Sequence, residues 1–130
     1  IIIDVAGITS NLFNATASGS TIRGLAIVGA GAAGSPLIAA AANTTITGNW
    51  FGIEPDGVTE RSNLRTGITL TGTGIVVGGP ALADRNVFAG FTSATAIAST
   101  DLSAGNVLIE NNLFGLRPDG VTALRNATSI

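Results

Sequence analysis

The chain has no cysteine, histidine, lysine, methionine, tyrosine or glutamine. Without cysteine there is no disulfide or thiolate chemistry. Without cysteine and histidine there is no metal site of the zinc type. Without lysine the glycine-rich stretches at 29–31 and 72–79 cannot form a Gly-Lys-Ser/Thr phosphate loop, and no helix pattern follows either of them. Charge is scarce as well, at 11% of residues, against about 25% in an ordinary soluble domain. The six cations are all arginine and are scattered, and the net charge is −2 with a pI near 4.7. That balance argues against a nucleic-acid partner.

Long hydrophobic runs are also missing. Hydrophobic residues make up 45% and mean hydropathy is +0.50. The longest apolar stretches, such as 37–42, nevertheless fall far short of the about 20 residues of a spanning helix, so no membrane span is expected. No basic region precedes Ile1–Ile3, so the opening does not read as a signal peptide. The absence of an initiator methionine reads as a processed product or an excised piece.

What the chain does contain is a repeated phrase. Residues 43–59 return 63 positions later as 106–122, with ten of the seventeen positions identical. The identities are Asn43/Asn106, Ile46/Ile109, Asn49/Asn112, Phe51/Phe114, Gly52/Gly115, Pro55/Pro118, Asp56/Asp119, Gly57/Gly120, Val58/Val121 and Thr59/Thr122. A long internal period marks a stacked architecture whose units bury their faces on one another.

The apolar segments between the punctuation are short and β-like: 1–5, 21–28, 44–47, 67–71, 74–77, 86–88, 96–98 and 107–109. Several alternate, as in Ile68-Thr69-Leu70-Thr71, which suits half-buried strands. The alanine-rich stretch 29–42 has helical propensity, but Gly29, Gly31, Gly34 and Pro36 weigh against a helix. An antiparallel sandwich is the second reading, yet it gives no reason for a repeat at 63. A period of 63 divides into three rungs of about 21 residues, so the expectation is an all-β parallel β-helix of about six rungs forming one domain over 1–130. Asparagines at one corner of successive rungs would form an amide ladder, with Asn43, Asn49, Asn63, Asn86, Asn106, Asn112 and Asn126 as candidates. Phe51, Phe88 and Phe114 would fill the interior. Pro55-Asp56-Gly57 and Pro118-Asp119-Gly120 would be projecting turns.

The phrase Asn-x-x-Ile-x-Gly-Asn-x-Phe-Gly, continued by Pro-Asp-Gly-Val-Thr and accompanied by Arg85-Asn86-Val87-Phe88-Ala89-Gly90, resembles the right-handed parallel β-helix repeats of bacterial surface proteins. These belong to the pectate-lyase-like and adhesin-like class. The chain departs by carrying Phe where that pattern often has Ile, and Phe91 where it has Asn. The resemblance implies the fold and its right hand, in line with the general crossover rule, and an extracellular or cell-surface location. It does not imply one activity, because such a fold hosts many. Lyases of that class use aspartate-bound calcium with a basic residue, and its glycosidases use paired aspartates.

Against that background, Glu54 and Asp56 are the one dense acidic pair, but Arg117 replaces Glu54 in the second copy. Asp56 and Asp119 therefore read as turn residues. No catalytic, cofactor-binding or metal site is assigned, with calcium at the acidic pair as the only cofactor kept in view. Arg61, Arg65, Arg117 and Arg125 read as surface ion-pair partners, and Arg85 as structural. Trp50, opposite Leu113, reads as core or interface, with a glycan contact as its functional alternative. Both ends look uncapped, since Ile1–Ile3 is a bare strand and the chain stops mid-phrase after Asn126. The expected function is therefore non-enzymatic and structural: a stalk, adhesin shaft or filament subunit that stacks head to tail or on flanking β-helix segments. A carbohydrate-active enzyme fragment and a carbohydrate-binding shaft are the alternatives.

Overall fold

The computed structural model describes residues 1–29, 36–61, 66–100 and 105–130. Strands of two or three residues alternate with tight corners, as expected where β-branched triplets are separated by Gly and Asn. In chain order they are β1 (Ile2–Asp4), β2 (Phe13–Ala15), β3 (Thr21–Arg23), β4 (Ala26–Val28), β5 (Ile38–Ala40), β6 (Thr45–Thr47), β7 (Trp50–Phe51), β8 (Ile68–Leu70), β9 (Val76–Gly78), β10 (Val87–Phe88), β11 (Ile97–Ser99), β12 (Leu108–Glu110) and β13 (Leu113–Phe114). A 3-10 turn covers Leu82–Asp84. The stretch 21–28 is two strands, because Gly24 turns the chain between them with φ +72, a conformation that favours glycine. Within the alanine-rich stretch, β5 is a strand. Residues 30–35 lie outside the described residues.

All strand pairs are parallel and link elements three apart in sequence, which makes a β-solenoid. Sheet A runs β1-β4-β7-β10-β13, sheet B runs β2-β5-β8-β11, and sheet C runs β3-β6-β9-β12. Each turn of the coil visits A, B and C once. The described residues make four full turns, and a fifth begins with β13 and a segment near Thr128 that bridges to Thr95 in parallel.

The expected count of about six rungs is therefore too high. Register partners down sheet A are Ile2, Ala26, Trp50, Val87 and Leu113, spaced 24, 24, 37 and 26 residues apart. The 63-residue period is two turns rather than three. Equal division fails because the turns carry excursions of different length. One is the hairpin closed by the antiparallel bridge Ile53–Glu60, and another is the segment containing the 3-10 turn.

The interior is filled by columns of side chains that run along the coil axis. In sheet A the inward column is Ile3, Ile27, Phe51, Phe88 and Phe114, following the registers of the strands. The Phe51 and Phe88 rings stack at 4.7 Å between centroids, and Phe88 and Phe114 at 5.1 Å, with interplanar angles of 7° and 8°. Phe91 tilts against Phe88 at 6.3 Å. Parallel in-register strands force like residues into vertical contact, and aromatic pairs of this kind add about 0.5–1.5 kcal/mol each beyond area burial. Sheets B and C contribute Ile38, Ile68, Ile97, Ile46 and Val77 to the same core.

Candidate functional site on the outer face of sheet A

The corner between sheets C and A holds a buried amide ladder. Asn49, Asn86 and Asn112 each precede a sheet A strand. Asn86 Oδ1 accepts from the Asn49 backbone N–H at 2.9 Å and from Asn49 Nδ2 at 3.2 Å. Asn112 Oδ1 repeats this toward Asn86, at 3.1 and 2.9 Å. Each Nδ2 also donates to the middle residue of a sheet C strand, to the Ile22, Ile46 and Val77 carbonyls. The ladder ends at Leu25, whose N–H donates to Asn49 Oδ1. Asn49 and Asn86 are fully buried, so these bonds replace water that cannot reach them.

The other candidate asparagines stand elsewhere. Asn43 and Asn106 have φ +56 and +62 and occupy the corner before β6 and β12, where Gly19 and Gly74 stand before β3 and β9. Asparagine is there because it tolerates the left-handed region, not as a ladder amide. Asn43 Nδ2 donates to Ser18 Oγ instead. Asn126 ties Phe91 N–H and the Phe88 carbonyl on the next turn, outside the ladder. Asn63 lies outside the described residues, as do Arg65 and Asp101.

After β7 and after β13 the chain leaves the coil as a β-hairpin, and the two hairpins have the same construction. In the first, Glu54 N–H donates to the Thr59 carbonyl and Gly57 N–H to the Glu54 carbonyl. In the second, Arg117 and Gly120 donate to Thr122 and Arg117 in the same way. Pro55 and Pro118 open the turns, and Gly57 and Gly120 take the positive φ, at +70 and +74. Asp56 Oδ1 accepts from Val58 and Thr59 N–H, both at 2.8 Å, and its Oδ2 accepts from the Thr59 hydroxyl. Asp119 does the same with Val121 and Thr122. The Thr hydroxyl bond first, then the backbone N–H bonds, hold both carboxyls below the usual aspartate range, and Arg117 adds a smaller pull on each. Sequence-predicted turn residues thus have every carboxylate oxygen engaged within the turn itself.

The hairpins fold over the outward face of sheet A. The outward column there is Ala26, Trp50, Val87 and Leu113. Ile53, from the first hairpin, and Leu124, just after the second, pack with Val87 and Ala89 into a small external core, against which Trp50 and Leu113 lie half-buried. Trp50 also borders an open groove of about 240 Å³ with Ile1, Leu25, Ala26 and Pro55 along its walls. None of the described residues along the groove has a charged side chain.

The cations meet the hairpin base. Arg61 Nη2 contacts Asp4 Oδ2 at 2.6 Å, and its Nη1 contacts Glu54 Oε1 at 3.2 Å. This clasp joins the first turn to the third, 57 positions apart. The ion-pair role expected of Arg61 is met, but its partner Asp4 lies too far along the chain to be read from the residues alone. Hydrogen bonding from Ala6 N–H, followed by the bond from Arg61, lowers the Asp4 pKa. Arg85 grips Asn111, with Nη2 to Oδ1 at 2.6 Å and Nε to the carbonyl at 3.1 Å. Asn111 in turn donates to the Gly79 and Ala81 carbonyls, which fastens the 3-10 segment. Asn111 was not among the sequence candidates. The signal for it was its place opposite Gly48 in the repeat, since both take positive φ.

Among the described residues no cluster of three or more carboxylates has the proximity needed to hold a metal ion. No helix among them is long and apolar enough to cross a membrane. Comparison with family models, with curated proteins and with solved structures finds no match for this chain.

Proposed function

We propose that the chain is a structural shaft segment of an extracellular or cell-surface protein, acting as a rigid spacer or as a subunit that stacks into a filament, without catalysis. The observation that carries this reading is axial continuity. A stacked phenylalanine column and a buried asparagine ladder run side by side across successive turns. Both bind turn to turn, so they resist bending and shear along the axis, which is what a shaft requires. The location rests on the resemblance to bacterial surface β-helices. The three sheets have open edges at β1, β2 and β3 on one side. Further turns added there, from the same chain or from another copy, would extend all three sheets.

The test is negative-stain electron microscopy of the purified chain together with its mass in solution. Fibres built from axial repeats of about four turns support a filament subunit, and discrete short rods support a spacer. Globular particles without a rod axis contradict both. In parallel, cleavage of acidic polysaccharide that is lost in the double variant Asp56→Asn/Asp119→Asn would replace the structural reading with an enzymatic one. The half-buried Trp50 beside an open groove, with Leu25, Ala26 and Pro55 along it, favours a second reading, a carbohydrate-binding shaft. In that case Trp50→Ala abolishes glycan binding while Trp50→Phe retains part of it.

A further inference from the structure

Nine of the ten positions identical between the two copies of the repeat have a structural task within the chain. Asn43/Asn106, Gly52/Gly115 and Gly57/Gly120 take positive φ. Ile46/Ile109 and Phe51/Phe114 line the core. Asn49/Asn112 form the ladder. Pro55/Pro118 open the turns, and Asp56/Asp119 bond to Thr59/Thr122. The tenth pair is Val58/Val121. These side chains are 60% and 81% exposed at the hairpin tips, and neither belongs to a hydrophobic cluster among the described residues.

The two tips belong to one surface. A side chain at Gly57 would meet Pro118 Cγ at 3.8 Å, so the hairpins stand side by side although a turn of the coil separates their bases. Their charges differ in sign. The first hairpin and its base carry Glu54, Asp56, Glu60 and Arg61, a net −2, whereas the second carries Arg117, Asp119 and Arg125, a net +1.

We infer that this ridge is a self-association surface, and that its partner is a second copy of the chain lying antiparallel. Two identical apolar tips on touching hairpins, whose bases are two strand spacings apart, about 10 Å, are matched in repeat by another such ridge. An isologous contact with its two-fold axis perpendicular to the coil sets Val58 of each copy on Val121 of the other. It also sets the acidic hairpin on the basic one. A parallel pair would set acid on acid. Opposite charge across the contact favours the antiparallel register and disfavours the parallel one. The contact is lateral and is separate from any axial extension of the sheets.

The experiment is analytical ultracentrifugation of the chain over a concentration series at low salt. The native chain sediments as a reversible dimer, and Val58→Ser/Val121→Ser weakens that dimer at least tenfold with an unchanged thermal midpoint. Because the chain has no cysteine, single Val58→Cys and Val121→Cys variants then report the register without background. When the two are mixed and oxidised, the mixed disulfide dominates over either homodimer. A native chain that stays monomeric throughout the series overturns the inference, as does a dimer indifferent to the two serines. Predominance of the Val58→Cys homodimer overturns the antiparallel register.

Discussion

Replacing Asn86 with alanine tests the amide ladder at its centre. The side chain makes four hydrogen bonds there: two accepted from Asn49, one donated to the Ile46 carbonyl at 2.8 Å, and one donated to Asn112 Oδ1 at 2.9 Å. Alanine removes all four, and Asn49 and Ile46 have no water within reach because both are fully buried. Each orphaned buried group costs about 1–3 kcal/mol. Asn112 is half-buried and recovers water, and Asn49 Nδ2 keeps its bond to the Ile22 carbonyl, so the Asn49 N–H and the Ile46 carbonyl together cost about 2–6 kcal/mol. That is a large share of the about 5–15 kcal/mol that holds an ordinary domain together. Urea unfolding reads the loss as a lower midpoint with an unchanged slope, and hydrogen exchange reads it as lost protection of the Asn49 amide. Asn112→Ala, at the solvent-accessible end, is expected to cost about 1–3 kcal/mol. Asn86→Asp keeps the shape but points a carboxylate at two acceptors. Its folded pKa is therefore raised, and stability falls as pH rises above the unfolded aspartate value of about 3.9. A loss below about 1.5 kcal/mol for Asn86→Ala, or one no larger than that of Asn112→Ala, would refute the ladder as a determinant of stability.

Other substitutions probe the core, the corners and the hairpins. Thr44 is fully buried, and its hydroxyl has no partner among the described residues. Ile75 and Val107 hold the equivalent place before β9 and β12. Thr44→Val is therefore expected to raise stability by about 0.5–1.5 kcal/mol in thermal melts. Phe88→Ala breaks the aromatic column in its middle and is expected to cost about 3–5 kcal/mol, with loss of the near-ultraviolet dichroism of the stacked rings. Gly57→Ala places a side chain at φ +70 and is expected to cost about 1–2 kcal/mol, seen as faster proteolysis of the hairpin. Asp56 and Asp119 have lowered folded pKa values. Their contribution is thus complete above the unfolded aspartate value and disappears as pH falls through the folded one. Protection of the Val58, Thr59, Val121 and Thr122 amides should follow that acid-side loss and stay flat above it.

The sequence by itself determined the class of the fold. A phrase repeated at long range, strands of three residues and Gly/Asn corners leave a stacked parallel coil as the economical solution, because one such unit cannot bury its apolar face alone. It also identified the interior phenylalanines, the two Pro-Asp-Gly turns, and asparagine as the residue that links turns. Three other features were decided by the tertiary structure. The number of turns depends on how far the chain strays between strands, and hairpins hide inside a period without altering it. Asparagine has two uses, a positive φ and a buried amide, and a string of letters does not distinguish them. Asn43 and Asn49 differ only in which corner the coil assigns to each. The Asp4–Arg61–Glu54 clasp and the covered face of Trp50 join residues from different turns, and their neighbours exist only once the stack has formed. Local pattern records what each residue does along the chain, whereas contacts across turns depend on register, which is set by the summed length of everything between them.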